Sequence, residues 1–350
     1  MSEARELIAG TVERIFSESL DPEIIAEAES GAWLGSLWDA MEGAGLTRAL
    51  LGAEQGGADG DWLDVFEIAR ACGRHSLPLP LVETILAART LTESGLACPD
   101  GPIGIAPDLV NGEESASLGQ VSWGRSTPHV VGLMQRGADT HIALWCSAGA
   151  KVEEGHNLAL EPRDTLRFEE PPVAMSANPV EPMMLQLRGA LLRCGQMTGA
   201  LEKILDQSAT YATERVQFGR PIGSFQILQQ ELARLAGQVA EATTASEIAF
   251  RAASEAGDDA RGEIGRAGDP AFEIACAKVV VGEAAELGPR IAHQIHGAIG
   301  FTYEHSLHFA TRRLWAWRTE FGTTEQWARR LGEAVQQGDA GEIWPLVTAR

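Results

Sequence analysis

The segment from Glu214 to Gln226 gathers residue types that suit a ligand with both phosphates and a ring. A run of good helix formers leads into it, and a glycine and a proline then turn the chain. Arg215, Gln217 and Gln226 carry donors around this corner, and a guanidinium forks well onto anionic oxygens. The face of Phe218 could cover a planar ring. The alternative is an ordinary helix corner with solvated polar groups.

A second dense segment runs from Gln294 to His305, at the end of a long predicted helix. Gly297 and Gly300 permit a left-handed helix cap and a close backbone approach by a ligand or a partner. Four histidines form two i, i+3 pairs, a spacing that can chelate a metal: His293 with His296, and His305 with His308. No carboxylate accompanies them in the arrangement that di-iron bundles use, so we expect no metal site.

Hydrophobic periodicity predicts the elements that carry these segments. Apolar residues recur at helical spacing in residues 1–100, and more strongly in residues 179–350. Between residues 101 and 178, short runs rich in Val, Ile, Leu and Trp alternate with turn residues, which predicts a small β-domain. We therefore expect a mainly α fold with an N-terminal helical domain (1–100), a middle β-domain (101–178) and a C-terminal helical bundle (179–350).

Local signals refine this outline. The sequence Asp21-Pro22-Glu23 predicts a helix start, and the polar run 257–270 predicts a break between two long helices. Prolines between residues 171 and 182 predict a linker into the bundle. Four runs have the composition of strands: Gln120–Trp123, His129–Met134, Thr140–Trp145 and Asn157–Leu160.

Composition limits the classes of partner. The 350-residue chain carries a formal net charge of −21, which repels nucleic-acid phosphates at long range. Local arginines can still bind a small anionic cofactor, because their field dominates at contact distance. Its five cysteines form no CxxC pair, which argues against a zinc cluster or a disulfide framework. With neither a membrane-length apolar run nor a secretory signal in the sequence, we expect a cytoplasmic protein.

The two dense segments together resemble the acyl-CoA dehydrogenase family, through its ERxQFGxPIxxFQ corner and its QIHGxxGxTxE turn. The resemblance implies a helical domain, a small β-barrel domain and a four-helix bundle, with FAD held between subunits. The reaction implied is α,β-desaturation of an acyl-CoA thioester: a carboxylate removes the α-proton and hydride passes from the β-carbon to the flavin. The cofactor contacts implied are Arg215, Gln217, Phe218 and Gln226, with Gln294, Gly297 and Thr323 from the other conserved turn.

The sequence departs from the family where the catalytic base is expected. One family position is the first residue of a Glu-Gly-Thr run, which here begins with Phe321, and the other falls on Gly189. Neither residue can take a proton. Glu320 precedes Phe321, but a one-residue shift on a helix rotates a side chain by about 100°, so Glu320 is a candidate base only on irregular backbone. The family's TEPxAGSD and WITN segments, which meet the flavin ring, have no counterpart between residues 101 and 172.

The stretch HGAIGFTYEHSLHFATRR resembles an actinobacterial branch of the family in which two different chains form an α2β2 heterotetramer. That branch often acts on sterol side-chain thioesters, and one of its two chains brings the base. The resemblance implies a homologous partner subunit with the catalytic glutamate, an acyl-CoA substrate and an electron-transfer flavoprotein as acceptor. Two alternatives stay open: a self-sufficient dehydrogenase that uses Glu320, and a helical-bundle scaffold without enzymatic activity.

Overall fold

The computed structural model describes residues 3–111, 115–257, 262–265 and 267–337. Its first part is helical, and the predicted helix start is confirmed: the Asp21 carboxylate accepts hydrogen bonds from the backbone N–H groups of Glu23 and Ile24 at 2.9 and 2.8 Å. The helices of this part are α1 (Glu3–Ser19), α2 (Pro22–Glu29), α3 (Gly35–Gly43), α4 (Trp62–Arg74) and α5 (Leu81–Glu93).

Within the described residues, the middle part contains seven strands in two sheets. The strands are β1 (Ile103–Asn111), β2 (Ala116–Ser122), β3 (His129–Arg136), β4 (Asp139–Cys146), β5 (Lys151–Glu153), β6 (Arg163–Phe168) and β7 (Ala174–Met175). One sheet has the order β1-β3-β4-β7, with β1 and β3 parallel and the other pairs antiparallel, and the second has the order β2-β6-β5 and is antiparallel. Buried side chains from both sheets share one core, among them Leu118, Val130, Trp145 and Leu166.

Two local expectations in this part were wrong. Asn157–Leu160 forms a turn and not a strand, because the Asn157 side-chain oxygen accepts from the backbone N–H groups of Ala159 and Glu161 at 2.9 and 3.1 Å. The proline-rich segment before the bundle is not a plain linker, since β7 pairs there with β4. In both cases side-chain or sheet hydrogen bonds outweigh the composition of the run.

The C-terminal part is helical again, as the periodicity predicts. Its helices are α6 (Pro182–Glu214), α7 (Gln226–Ala256), α8 (Pro270–His296), α9 (Leu307–Trp317) and α10 (Thr324–Gln337). The predicted break is confirmed between α7 and α8, and α8 packs along α7 and also contacts α9 and α10. Residues 338–350 of the predicted bundle lie outside the described residues.

The structure confirms the fold class: helices, then a β region, then long C-terminal helices. The described residues form two compact units, one from the residues up to Ile68 with Pro78–Gly189, the other from Ala69–Leu77 with the residues from Ala190 onward. The division into domains at residues 100 and 178 stays a prediction. Among the helices described, none has both the length and the apolar character required to cross a bilayer.

Candidate functional site

The corner between α6 and α7 is a β-hairpin. Helix α6 ends at Glu214, strands β8 (Val216–Gln217) and β9 (Arg220–Pro221) pair antiparallel, and a 3-10 turn over Ile222–Ser224 leads into α7. The glycine and the proline turn the chain as the sequence predicts, and the turn takes the form of a hairpin with Pro221 on its second strand. At the base of the hairpin, the backbone N–H of Ile222 donates to the carbonyl of Arg215 at 2.8 Å.

The tip of this hairpin presents an aromatic ring to solvent. Phe218 and Gly219 both have positive φ, at 53° and 79°, as the tightest hairpin turns require. A bulky residue with this left-handed backbone conformation costs roughly 1–2 kcal/mol, so the turn holds the backbone of Phe218 in an unfavourable conformation. Its ring is 91% exposed and meets only an edge-on partner, Phe225, at 6.1 Å between centroids. The hairpin therefore directs an apolar face outward.

The predicted donors of the corner lie on or beside this exposed hairpin. Arg215 immediately precedes its first strand and Gln217 lies on that strand, and both are exposed. Gln226 is exposed as the first residue of α7. Arg220, on the second strand, differs because its guanidinium lies over the Phe225 ring at 4.2 Å. Exposed guanidinium and amide donors beside an exposed ring can meet an anionic, ring-bearing ligand.

The second predicted segment is a tight turn at the end of α8. The helix ends at His296, and Gly297 follows with φ 61° and ψ −141°, a conformation that a residue with a Cβ rarely adopts. Gln294, on the last turn of the helix, and Gly297 are both exposed. The chain continues as a 3-10 helix over Gly297–Phe301, and Phe301 and Tyr303 present exposed fractions of 72% and 85%.

Tyr211 brings the two segments together. It lies on α6 one helical turn before the hairpin, and its carbonyl accepts from the backbone N–H of Arg215 at 2.9 Å. Its ring stacks on His296 with 4.6 Å between centroids and meets the edge of His305 at 6.3 Å. Tyr211 was not among the site residues predicted from the sequence. Its position one helical turn before the corner is the signal that could have identified it.

The histidine pairs do not form a metal centre. His296 Nδ1 lies 2.8 Å from the carbonyl of Ala292, and His308 Nδ1 lies 2.8 Å from the carbonyl of His305. His293 Nε2 is engaged instead with the Thr311 hydroxyl at 3.2 Å. Across the described ranges, no three His, Cys, Asp or Glu side chains come together as a metal site would require.

The Phe321-Gly322-Thr323 run immediately precedes α10. The Thr323 backbone N–H donates to the Gln326 side chain at 2.9 Å and the Gln326 N–H donates to the Thr323 hydroxyl at 3.3 Å, a reciprocal helix cap. Gly322 has φ 102°, and a Cβ there would lie 2.6 Å from the Trp327 indole nitrogen. The indole N–H in turn donates to the carbonyl of Phe321 at 3.0 Å. The Thr323 hydroxyl thus serves the helix, and its contact with a cofactor stays a prediction.

Glu320, the candidate base, is held in an ion pair. Arg193 Nε and Nη2 both lie 2.8 Å from Glu320 Oε2, and the two side chains are 3% and 17% exposed. The Arg193 guanidinium also donates to Gln196 and lies 5.8 Å from the centres of the Trp317 and Phe321 rings. Glu320 belongs to an irregular turn after α9, and the Arg193 guanidinium pairs with its ionised carboxylate through Oε2.

A buried lysine supports the same turn. Lys278 of α8 is fully buried, and its ammonium donates to the carbonyls of Trp317 and Arg318 at 3.1 and 3.0 Å. Burial lowers the pKa of Lys278 to about 8, against smaller opposing effects from Cys194 and Glu320. A cation at the carboxyl end of α9 also complements the helix dipole. A lone lysine inside the apolar run of α8 is the sequence signal that could have revealed it.

The other family position for a base has no acidic side chain. Gly189 lies within α6 and is buried, and its neighbours Arg188, Ala190 and Leu191 are not acidic. Helix α6 therefore brings no carboxylate to that position.

The turn after β2 is held by hydrogen bonds to a buried carboxylate. The Arg125 backbone N–H donates to the Asp164 carboxylate at 2.8 Å, its guanidinium pairs with the same group, and the N–H of Gly155 donates to it at 3.0 Å. Asp164 is fully buried, so its charge is balanced within this network. Arg125 of this turn thus serves the fold through Asp164.

Comparison with known proteins agrees with this arrangement. Residues 184–336 match the family model described as acyl-CoA dehydrogenase, C-terminal domain. The chain is 28% identical to acyl-CoA dehydrogenase IpdE2 of Mycolicibacterium smegmatis, over 96% of this chain and 100% of that protein.

Two solved structures share the fold across nearly the whole chain. One is the ChsE4-ChsE5 complex from Mycobacterium tuberculosis, with a TM-score of 0.85 and 21% identity over 97% of this chain and 99% of that chain. The other is a Tcur3481-Tcur3483 steroid ACAD G363A variant, with a TM-score of 0.83 and 19% identity over 96% and 98%. A further structure with this fold is PigA with FAD and proline, with a TM-score of 0.79 and 15% identity over 97% of this chain and 99% of that chain. Residues 184–336 of the chain therefore carry the features of the C-terminal domain of the acyl-CoA dehydrogenases.

Proposed function

We propose that this chain is the subunit of a heteromeric acyl-CoA dehydrogenase that completes an FAD site without supplying the catalytic base. The reaction is α,β-desaturation of an acyl-CoA thioester, and the substrate class is a sterol side-chain thioester. The observation that carries the proposal is the Arg193–Glu320 ion pair beside Phe321, which engages the carboxylate nearest to one family position of the base. The likeness to a two-chain complex and to a steroid dehydrogenase supports the heteromer and the substrate class.

The residues of the corner and the turn fit the dinucleotide end of FAD. Arg215 and Gln217 carry exposed donors, and a guanidinium pairs with pyrophosphate oxygens through two parallel hydrogen bonds. The outward ring of Phe218 offers a face for a planar group, and the exposed backbone at Gly297 permits a close approach. Gln226, Gln294 and Thr323 complete the proposed contact set. FAD, when bound, supplies the hydride acceptor for the β-carbon of the thioester.

The division of labour follows from what these side chains can and cannot do. Phe321 and Gly189 take no proton, so the carboxylate that removes the α-proton comes from a homologous partner subunit. This chain binds and orients the cofactor across the interface, and its exposed Phe301 and Tyr303 offer apolar area to the partner. We propose an electron-transfer flavoprotein as the acceptor that reoxidises the complex.

The test is Arg215→Ala in the complex formed with a homologous acyl-CoA dehydrogenase chain that carries the catalytic glutamate. Loss of a charge-assisted hydrogen bond worth about 1.5–3 kcal/mol should weaken FAD binding at least about tenfold. The measurement is the dissociation constant of FAD from flavin fluorescence, together with the flavin absorbance per complex.

Arg220→Ala is the matched control, because it removes a guanidinium from the same hairpin that lies over Phe225. It should leave FAD affinity near that of the wild type. Equal losses in both variants, or no loss in Arg215→Ala, would contradict the proposal.

A further inference from the structure

Three histidine rings connect the turn at the end of α8 to its neighbours, and we call His293, His296 and His305 the imidazole clasp. His293 stacks on Phe301 at 4.4 Å and on Trp315 of α9 at 5.8 Å, both at 20° between planes. His296 stacks on Tyr211 at 4.6 Å and 19°, and the His305 ring meets it edge-on at 4.7 Å. The clasp therefore joins the turn to α6 on one side and to α9 on the other.

The surroundings of the two ring nitrogens of His296 favour a neutral ring. Its Nδ1 lies 2.8 Å from the carbonyl of Ala292, so that nitrogen carries the proton and donates. Its Nε2 is then an acceptor, and it is buried without a hydrogen-bond partner among the described residues. Protonation would place an N–H donor and a positive charge at this buried position, where neither is satisfied.

The surroundings of the ring act in the same direction. Burial lowers the pKa of His296, and so do the nearby His305 and His293, while the hydrogen bond to Ala292 raises it. Burial is also the leading cause that lowers the pKa of His293 and of His305. The titratable side chains facing His296 are Tyr211 from α6, His293 from α8 itself and His305 from the segment after the turn, with His308 of α9 behind His305.

The sign of the pH effect follows from these directions. An unfolded histidine takes up a proton near its ordinary value of 6.5, whereas the folded clasp resists it. The stabilising contribution of the clasp is therefore complete above that value and is lost as the pH falls below it. Tyr211 couples this change to the hairpin, because its carbonyl accepts from the N–H of Arg215.

We propose that His296 is a positioning residue. As a neutral ring stacked on Tyr211, it fixes the turn that carries Gln294 and Gly297 relative to the hairpin that carries Arg215. Acidification loosens this arrangement. The proposal deepens the proposed function and rests on it, because both segments are the proposed contacts of the FAD dinucleotide. It adds a regulatory property: the affinity for FAD falls in mildly acidic solution.

The test is hydrogen exchange of the full-length complex, followed by mass spectrometry of peptides covering the hairpin and the turn, at about pH 7.5 and about pH 5.5. After correction for intrinsic exchange, the wild type should exchange at least about tenfold faster in both peptides at the lower pH. His296→Phe keeps an aromatic ring on Tyr211 but cannot titrate, so its corrected rates should agree at the two pH values. His296→Ala should exchange fast at both.

His129→Phe is the matched control, since burial also lowers the pKa of His129, on strand β3. It should keep the acid response of the wild type. An unchanged wild-type rate at the lower pH, or an acid response that persists in His296→Phe, would overturn the inference. If the acid response behaves as expected while Arg215→Ala binds FAD normally, the proposed function fails and the role of His296 in holding the two segments together stands.

Discussion

At the scale of single residues, Glu320 decides between two kinds of enzyme. A self-sufficient dehydrogenase needs its carboxylate as a base, whereas the structure engages it with Arg193 at 2.8 Å. We therefore expect Glu320→Gln to keep turnover of the heteromeric complex within about twofold of wild type. The same substitution should lower the free energy of unfolding by about 1–3 kcal/mol, because the buried guanidinium loses its counter-charge. Steady-state kinetics and chemical denaturation measure the two effects.

The control for this prediction is Glu333→Gln, which alters a 62% exposed carboxylate on α10. Exposed ion pairs contribute little, so neither stability nor turnover should change measurably. Abolished turnover in Glu320→Gln with FAD still bound would instead identify Glu320 as the base.

At the scale of elements, the start of α10 depends on one cap. The Thr323 N–H donates to the Gln326 side chain at 2.9 Å, and the Gln326 N–H donates to the Thr323 hydroxyl at 3.3 Å. The indole N–H of Trp327 donates to the carbonyl of Phe321. Thr323→Ala should lower the free energy of unfolding by about 1 kcal/mol, the usual contribution of a helix cap. Thr323→Ser should restore most of it, because serine supplies the same hydroxyl. Thermal and chemical denaturation measure the difference.

The two variants also separate the cap from the proposed cofactor contact. If Thr323→Ala weakens FAD binding by more than its loss of stability explains, then the hydroxyl has a second role at the flavin. A stability equal to the wild type would contradict the cap.

At the scale of the whole molecule, the chain should depend on a partner for its cofactor. Its corner and turn are the proposed contacts for one end of FAD, while the middle β region uses its turn at Arg125 to hold the buried Asp164. The chain expressed alone should therefore contain little flavin, and the complex with the glutamate-bearing chain should be yellow and active. Flavin absorbance per protein and the mass of the complex measure this. An active homomer with one FAD per chain would contradict the heteromer.

The sequence by itself determined the order of the elements and the residues offered for chemistry. Long-range periodicity distinguishes helices from strands, since 3.6- and 2-residue repeats differ over many positions. The corner and the turn could be recognised because their residues are contiguous, and Phe321 and Gly189 alone predicted that both family positions lack the base.

Tertiary structure decided everything that depends on residues far apart in the chain. The Glu320–Arg193 pair joins positions 127 residues apart, and Lys278 reaches carbonyls at the far end of α9. The stacking of Tyr211 on His296 likewise requires α6 and α8 to pack in one particular register. The local sequence does not predict such contacts, because they form only when the helices pack together. For the same reason the sequence named Glu320 as a candidate base, and only the tertiary structure shows its ion pair with Arg193.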